Sequence, residues 1–177
     1  MLKSFIFGAI AALVLVCPSW AVDAPFGFAW GPLTTVPKPS LALKDANVTL
    51  LIYRRDRLPG TEMADTEMVL LDVCKVEGLQ QISWVSKALS ANEAAAKFTQ
   101  IVAQGVQKYG ETKPTSDGAL AWKDGRLEAL SVSGNDGSHR VLMVSRGPNF
   151  DACAREHDQV SDQSLRTRWL RRIELPN

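Results

Sequence analysis

The sequence contains few of the side chains that perform acid–base or nucleophilic chemistry near neutral pH. Only two histidines, His139 and His157, and three cysteines occur among the 177 residues. The chain has no Gly-x-Ser-x-Gly motif for a serine nucleophile, no phosphate-binding loop and no dinucleotide-binding glycine pattern. These absences argue against the common motif-bearing hydrolases and nucleotide-binding enzymes. We therefore expect a protein that is not an enzyme and that uses no cofactor.

A strong charge of either sign is also missing. Lysine and arginine total 20, aspartate and glutamate total 19, and the formal net charge at pH 7 is +1. Because proteins bind nucleic acid largely by neutralising its phosphates, this balance predicts no nucleic-acid partner.

The beginning of the chain is its one strongly apolar stretch. Lys3 is followed by apolar residues over positions 5–16, which is the pattern of a secretory signal peptide and is too short to span a bilayer. Two positions fit the small-x-small rule for cleavage, after Ala21 or after Ala24. We predict that residues 1–24 form a signal peptide. The mature protein is then periplasmic or secreted from a bacterium, with no membrane span after the leader is removed.

Cys17 is predicted to leave with this leader, because lipidation would require a small residue where the sequence has Val16. Removal leaves Cys74 and Cys153, and an even pair in an exported chain predicts a disulfide if the fold brings their α-carbons within about 7 Å. An alternative exists because Cys153 and His157 would share one face of a helix, as in a metal site or an activated thiol. No second cluster completes such a site, so we expect no metal.

Proline is concentrated in residues 25–46, where four prolines oppose a continuous helix. We expect an irregular segment here, followed by a single α+β domain over residues 47–177. The aromatic residues Phe26, Phe28 and Trp30 alternate along this segment, so they can dock on the core from an extended chain. The alternative is an exposed aromatic patch.

Strand signals are spread over the rest of the chain. β-Branched and aromatic runs bounded by turn residues predict a sheet of five or six strands. The six candidates are residues 47–53, 66–77, 79–89, 119–123, 126–133 and 139–145. Turn signals at Asp124-Gly125 and at residues 134–137 predict that the last three strands form an antiparallel meander.

One long helix is predicted from about Ala91 to Tyr109. Ser90 and Glu93 form a capping-box pattern, and Gly110 is a stop signal. Apolar residues recur at three- and four-residue spacing along this stretch, so they form one stripe. We expect the helix to cover one face of the antiparallel sheet in a two-layer α+β fold, with Gly105 allowing a close approach.

Short motifs in this chain resemble those of a loose group of small exported bacterial proteins of unknown function. The start carries Phe26-Gly27 and Trp30-Gly31, and the helix ends in Lys-Tyr-Gly before a loop and Trp122. The resemblance implies a two-layer α+β module, an architecture that this group shares with envelope-assembly modules and with protein inhibitors of secreted enzymes. It supplies no catalytic residue.

The C-terminal region contains a short predicted helix with Cys153, followed by a basic run. Arginines with an adjacent tryptophan suit the docking of an acidic partner. The predicted partner-binding residues are Arg166, Arg168, Trp169, Arg171 and Arg172. The leading prediction is therefore a non-enzymatic interaction module that contacts another envelope or secreted protein. The alternatives are a small secreted hydrolase with a non-standard site and a binder of a small apolar ligand between sheet and helix.

Overall fold

The computed structural model describes residues 23–34, 36–57 and 64–160. Within these residues the chain forms one open antiparallel sheet of eight strands and two α-helices. The α+β class is confirmed, and the sheet has more strands than the five or six predicted. The predicted partner-binding residues Arg166, Arg168, Trp169, Arg171 and Arg172 lie outside the described residues.

The sheet has the spatial order β1-β2-β3-β4-β8-β7-β6-β5. The strands are β1 (Leu41–Asp45), β2 (Val48–Arg54), β3 (Thr66–Cys74), β4 (Gly78–Ser86), β5 (Lys113–Pro114), β6 (Leu120–Trp122), β7 (Leu127–Ser133) and β8 (His139–Arg146). The helices are α1 (Ala91–Tyr109) and α2 (Phe150–Val160). All neighbouring strands pair antiparallel, and the predicted meander of three strands corresponds to β6, β7 and β8.

The two strands that the sequence analysis missed are the edges of the sheet. β1 lies in the segment 25–46 that was expected to be irregular, and it pairs with β2 from Leu41 to Asp45. β5 has only two residues and includes Pro114, which a sheet tolerates at its edge because that residue has no amide hydrogen to donate. Edge strands are held from one side only, so their sequences need less of the alternating apolar pattern.

Gly78 lies at the start of β4, directly after the turn that joins β3 to β4. Residues 75–77 form the turn and Gly78 begins β4 with a φ of +71°. A β-carbon on Gly78 would clash with the carbonyl oxygen of Gly31. Position 78 therefore requires glycine for two reasons. Its backbone is left-handed, and the N-terminal segment approaches it closely.

The N-terminal segment docks on the sheet as predicted. Gly31 and Leu79 exchange two backbone hydrogen bonds, of 3.2 and 2.7 Å. Phe26, Phe28 and Trp30 pack on the apolar cluster that includes Tyr53, Val69, Ile82 and Trp84. The aromatic residues of this segment thus contribute to the core on the side of the sheet that carries α1.

Helix α1 follows its sequence signals closely. The Ser90 side chain accepts a hydrogen bond from the Glu93 amide, and the Glu93 carboxylate accepts one from the Ser90 amide at 2.9 Å. The helix lies over β6, β7 and β8, with Phe98 and Ile101 against the core. Its burial is shallow, because Ala94 is its one fully buried residue.

A second apolar cluster includes Leu50, Ile52, Met68 and Leu70. These residues alternate along β2 and β3 with Leu51, Tyr53, Val69 and Leu71, which belong to the α1 side. The alternation follows from the two-residue side-chain period of a strand. Among the residues that the structure describes, no helix is long and apolar enough to cross a membrane.

Candidate functional site

A pocket of about 240 Å³ lies between the C-terminal half of α1 and the sheet. Its helical wall consists of Ile101, Gln104, Gly105, Lys108 and Tyr109. The sheet forms the floor. The other wall comes from the N-terminal segment, through Asp23, Pro25 and Phe26. Three separate parts of the chain therefore enclose the same space.

The floor of the pocket consists of two cross-strand rows. In the first row, Trp122 of β6 is paired with Leu127 of β7, Leu127 with Ser145 of β8, and Ser145 with Ile82 of β4. Directly paired residues on neighbouring strands place their side chains on the same face of the sheet. Because all four residues line the pocket, this row faces α1.

The second row explains why the pocket is open. Ala129, Met143 and Trp84 are cross-strand partners on β7, β8 and β4. Met143 lies in the interior of the sheet, yet it is 41% exposed. A methionine at the centre of an eight-stranded sheet is expected to be covered, so its exposure marks floor that α1 leaves uncovered.

Gly105 determines how closely α1 approaches the floor. A β-carbon at this position would lie 2.7 Å from Cε2 of Trp122, closer than real β-carbons approach other atoms. The close approach that the sequence predicted for Gly105 is confirmed. The indole ring occupies the space that a side chain on Gly105 would need.

Two polar atoms on lining residues lack hydrogen-bond partners in the described part of the chain. These atoms are Nε1 of Trp122 and Oγ of Ser145, both fully shielded from solvent. Each residue is 5% exposed. The other floor tryptophan differs, because Nε1 of Trp84 donates to Oγ1 of Thr66 at 2.7 Å. Buried polar groups without partners are uncommon in folded proteins, so these two require an explanation.

The mouth of the pocket carries charge. Lys108 is exposed, and its ammonium lies 5.0 Å from the centre of the Tyr109 ring. A hydrogen bond with Tyr109, together with the negative charge of Asp23, raises the pKa of Lys108 above its ordinary value. The lysine is therefore cationic at neutral pH.

Phe26 reaches the pocket through a strained backbone. Its φ is +61° and its ψ is +26°, within the short 3₁₀ turn Pro25–Gly27. This left-handed conformation costs a phenylalanine on the order of 1 kcal/mol. Non-glycine residues in such conformations are concentrated at binding and catalytic sites, and here the residue forms a pocket wall.

The residues around the predicted disulfide form a second candidate site. The sulfur atoms of Cys74 and Cys153 lie at bonding distance, and the α-carbons are 6.1 Å apart. Both cysteines are buried, and with Val48 they form a small apolar cluster apart from the main core. The geometry that the sequence prediction required is therefore present, and it links the end of β3 to α2.

His157 lies next to this bond without acting on it. Its Nδ1 lies 3.1 Å from Oδ1 of Asn47, and Nδ2 of Asn47 donates to the carbonyl oxygen of Cys153 at 3.3 Å. Because the amide nitrogen of Asn47 is used as a donor, Nδ1 of His157 carries the proton. Burial lowers the pKa of His157, and the charge of Asp158 opposes this effect. The histidine is directed to Asn47 and serves as part of the packing of α2.

Within the described part of the chain, the group that could hold a metal ion consists of Cys74, Glu77 and Cys153, whose ligand atoms lie within 4.8 Å of one another. A metal requires thiolates, and the bond between the two sulfurs uses both of them. This cluster is therefore not a ligand set in the oxidised protein. Glu77 was not predicted from the sequence, since its proximity to the cysteines depends on the β3–β4 turn.

The other histidine lies at the surface of the β7–β8 hairpin. Nδ1 of His139 is 3.1 Å from Oγ of Ser133, an exposed contact between paired strand residues. A serine beside a histidine is one part of a nucleophilic site, but this pair is outside the pocket. His139 is the first residue of β8, directly after the hairpin turn.

Most of the pocket was not predicted from the sequence. The sequence predicted a space between sheet and helix as one alternative ligand site and Gly105 as a point of close approach. It did not single out Ser145, Met143 or Leu127, which look like ordinary strand residues. Only the strand register places them in rows beneath α1.

No protein-family model, curated protein or solved structure was found to match this chain. The resemblance to small exported bacterial proteins therefore stays a prediction, and the functional argument depends on the geometry of the chain itself.

Proposed function

We propose that this chain is an exported, non-enzymatic binding protein that holds a small, mainly apolar molecule between α1 and the sheet. The observation that carries the proposal is the open pocket of about 240 Å³ with an exposed Met143 on its floor. Small-molecule sites are typically concave and apolar, with a few placed polar groups.

The composition of the walls supports this function. Phe26, Trp84 and Trp122 provide aromatic surface, and Ile82 and Ile101 provide aliphatic surface. Burial of an apolar ligand against such walls is favourable by roughly 25 cal/mol for each Å² of apolar surface removed from water. The same burial would cover Met143.

Export is proposed from the leader-like start of the chain and from the cysteine pair. Disulfides persist in oxidising compartments, and the geometry of Cys74 and Cys153 fits a periplasmic or secreted protein. The intact mass of the protein purified from the periplasm tests this point. Cleavage after Ala21 or Ala24 is expected, and a mature protein beginning at a diacylated Cys17 would contradict it.

A neutral fluorescent probe tests the binding function. We expect N-phenyl-1-naphthylamine to bind the mature protein saturably at one molecule per chain, with a rise in its fluorescence. Met143→Trp should weaken this binding at least about tenfold, which corresponds to about 1.4 kcal/mol, because the larger side chain occupies the pocket.

Leu41→Trp is the matched control. Leu41 is an apolar strand residue of similar exposure, 47%, on the edge strand β1 and outside the pocket. The substitution Leu41→Trp adds the same indole without filling the pocket, so probe binding should be unchanged. Equal binding to both variants, or no saturable binding to the unmodified protein, would contradict the proposal.

The prediction of a protein partner is a separate proposal. It depends on the basic C-terminal run, whose arginines and Trp169 lie outside the described residues. Charge reversal of the arginines should abolish capture of a periplasmic partner while the probe still binds the pocket. The hydrolase alternative has less support, because the Ser133–His139 contact is exposed on a hairpin and is not part of an enclosed site.

A further inference from the structure

We infer that the ligand of this pocket is an amphipathic anion, whose apolar body lies on the floor and whose acidic group meets Lys108 at the edge of α1. This inference rests on the proposed binding function and specifies the chemical class of the ligand. Its basis is the division of the lining side chains into an apolar interior and a polar, cationic edge.

The wall that α1 contributes changes in polarity across the helix. Ile101 and Gly105 are half-buried, whereas Gln104 and Lys108 are exposed. Because residues four apart are neighbours on a helix surface, Gln104 and Lys108 lie along one edge of the pocket, and we call this pair the helical rim. Lysine ammonium groups and glutamine amides both donate hydrogen bonds. An acidic group at the helical rim therefore has an ionic partner in Lys108 and a neighbouring donor in Gln104.

The floor of the pocket, by contrast, offers apolar surface. Ile82, Trp84 and Met143 line it, and Met143 is exposed. The unpartnered polar atoms of Trp122 and Ser145 are shielded from solvent, so they present no surface to a ligand and take no part in its recognition. A ligand that fits this pocket thus has its polar group at one end, toward the helical rim, and its apolar body over the floor.

Two of the charged lining residues, Glu128 and Lys108, differ in their surroundings. The carboxylate of Glu128 is buried and pairs with Arg146 at 2.8 Å, so its charge is compensated within the protein. Lys108 is exposed and cationic, and its ammonium lies over the ring of Tyr109, which also lines the pocket. The cation at the open edge is therefore accessible to a ligand.

Asp23, the third charged lining residue, lies next to the predicted cleavage sites, so processing decides the charge around it. Cleavage after Ala24 removes Asp23 and places the new terminal amine on Pro25, which lines the pocket. Cleavage after Ala21 keeps Asp23 and creates the amine one residue before it. A terminal amine has a pKa of about 7.7–8.0 and is mostly protonated at neutral pH. In both forms Lys108 and this amine outnumber the carboxylate, which favours an anionic ligand over a cationic one.

Three naphthalene probes that differ in charge test this inference by displacement of N-phenyl-1-naphthylamine. They are 1-naphthylacetate, which is anionic, 1-naphthylacetamide, which is neutral, and 2-(1-naphthyl)ethylamine, which is cationic. Their two fused rings suit a volume of about 240 Å³, since an engineered cavity of about 150 Å³ in another protein holds benzene.

We expect the acetate to bind the unmodified protein about two- to fivefold more tightly than the amide at low salt, as an exposed ion pair allows. The amine should bind most weakly. In about 1 M salt, where the screening length is about 3 Å, the advantage of the acetate over the amide should disappear.

Lys108→Gln identifies the group responsible, because it removes the charge and should abolish the preference for the acetate over the amide. Lys44→Gln is the matched control. Lys44 is exposed on the edge strand β1 and lies outside the pocket, so this variant loses the same charge and should keep the preference. Lys108 is also the basic residue in the last turn of α1, where it complements the helix dipole. Loss of that structural role changes stability but not the preference between two probes.

The outcomes separate this inference from the proposed function. If the probes displace N-phenyl-1-naphthylamine but the amide or the amine binds as tightly as the acetate, the pocket binds ligands and the inference is wrong. A preference for the acetate that Lys108→Gln leaves unchanged, or that Lys44→Gln abolishes equally, also overturns it. If none of the probes binds, including N-phenyl-1-naphthylamine, both the inference and the proposed function fail.

Discussion

Two buried side chains of this molecule, His157 and Trp122, differ in the hydrogen bonding of their ring nitrogens. His157 is fully buried, but its Nδ1 has a partner in Asn47, and the pair anchors α2. Trp122 is nearly as buried, and its Nε1 has no partner among the described residues. The first arrangement is that of a structural residue, whereas the second leaves a buried indole N–H without a hydrogen bond in the described part of the chain. The sequence alone does not distinguish them, because the hydrogen-bond partners of both side chains are set by the fold.

His157 should make stability depend on pH. Its pKa in the folded protein is lowered, mainly by burial, so folding favours the neutral ring. The stabilisation is complete above the unfolded pKa of about 6.5 and is lost as the pH falls through the lower folded pKa. The free energy of unfolding, measured in urea between about pH 8 and pH 5, should therefore decrease on acidification.

Two glutamine variants separate this effect from other titrations. His157→Gln removes the titrating group, so the part of the pH dependence that it causes should disappear. His139→Gln is the matched control and should keep the acid-dependent loss, because His139 is a hairpin residue at the surface. A His157→Gln protein with the same pH dependence as the unmodified protein would contradict the assignment.

Among the elements, α1 was predicted best, because its signals are local. The capping box, the apolar stripe and Gly110 all lie within the helix or next to it, and the observed bounds are Ala91–Tyr109. The six strands with strong apolar patterns were also predicted. The edge strands β1 and β5 were not, because their identity depends on pairing with β2 and β6. Their sequences carry little signal of that pairing.

Phe98→Asp tests the packing of α1. Phe98 is half-buried against the apolar cluster on the α1 side of the sheet, and aspartate would place an unpaired charge there. We expect the free energy of unfolding to fall by roughly 2 kcal/mol or more. Chemical denaturation followed by circular dichroism measures the change.

Thr99→Asp provides the matched control for that substitution. Thr99 is the next residue of the same helix and is exposed, so aspartate there carries a similar helix-propensity cost without burial. Its effect should be within about 0.5 kcal/mol of zero. Equal destabilisation by both variants would show that Phe98 does not pack the helix on the sheet.

For the whole molecule, the link between Cys74 and Cys153 joins the sheet to α2 across 79 positions of sequence. Closing a loop of this length reduces the entropy of the unfolded chain, an effect of roughly 4 kcal/mol in chain-entropy estimates. This is a large share of the stability of about 5–15 kcal/mol that is usual for a domain.

Replacement of both cysteines by alanine should therefore lower the free energy of unfolding by about 2–5 kcal/mol. Urea denaturation of the variant and of the unmodified protein, with and without reductant, measures this difference. Reductant should destabilise only the unmodified protein. Two free thiols in freshly isolated protein would contradict the disulfide and return Cys74, Glu77 and Cys153 to consideration as metal ligands.

For the whole molecule, the sequence predicted the α+β class and the cysteine pair that the structure contains, whereas the predicted export stays a prediction. It could not predict the pocket in detail, because the three walls come from residues 23–26, from α1 and from β4, β6, β7 and β8. The register of the strands brings Ser145 and Trp122 onto one row. Such long-range placement follows from the folded topology and has no local sequence signal.

The binding of a small molecule between α1 and the sheet is the central claim, and the indole N–H signals of the tryptophans report on it most directly. Trp84 and Trp122 line the pocket, whereas Trp30 packs outside it, near Gly147. In a ¹H–¹⁵N titration with N-phenyl-1-naphthylamine, with signals assigned by single Trp→Phe variants, the Trp122 signal should move saturably. The Trp84 signal should move with it and the Trp30 signal should stay in place. An unmoved Trp122 signal at saturating ligand would contradict the account.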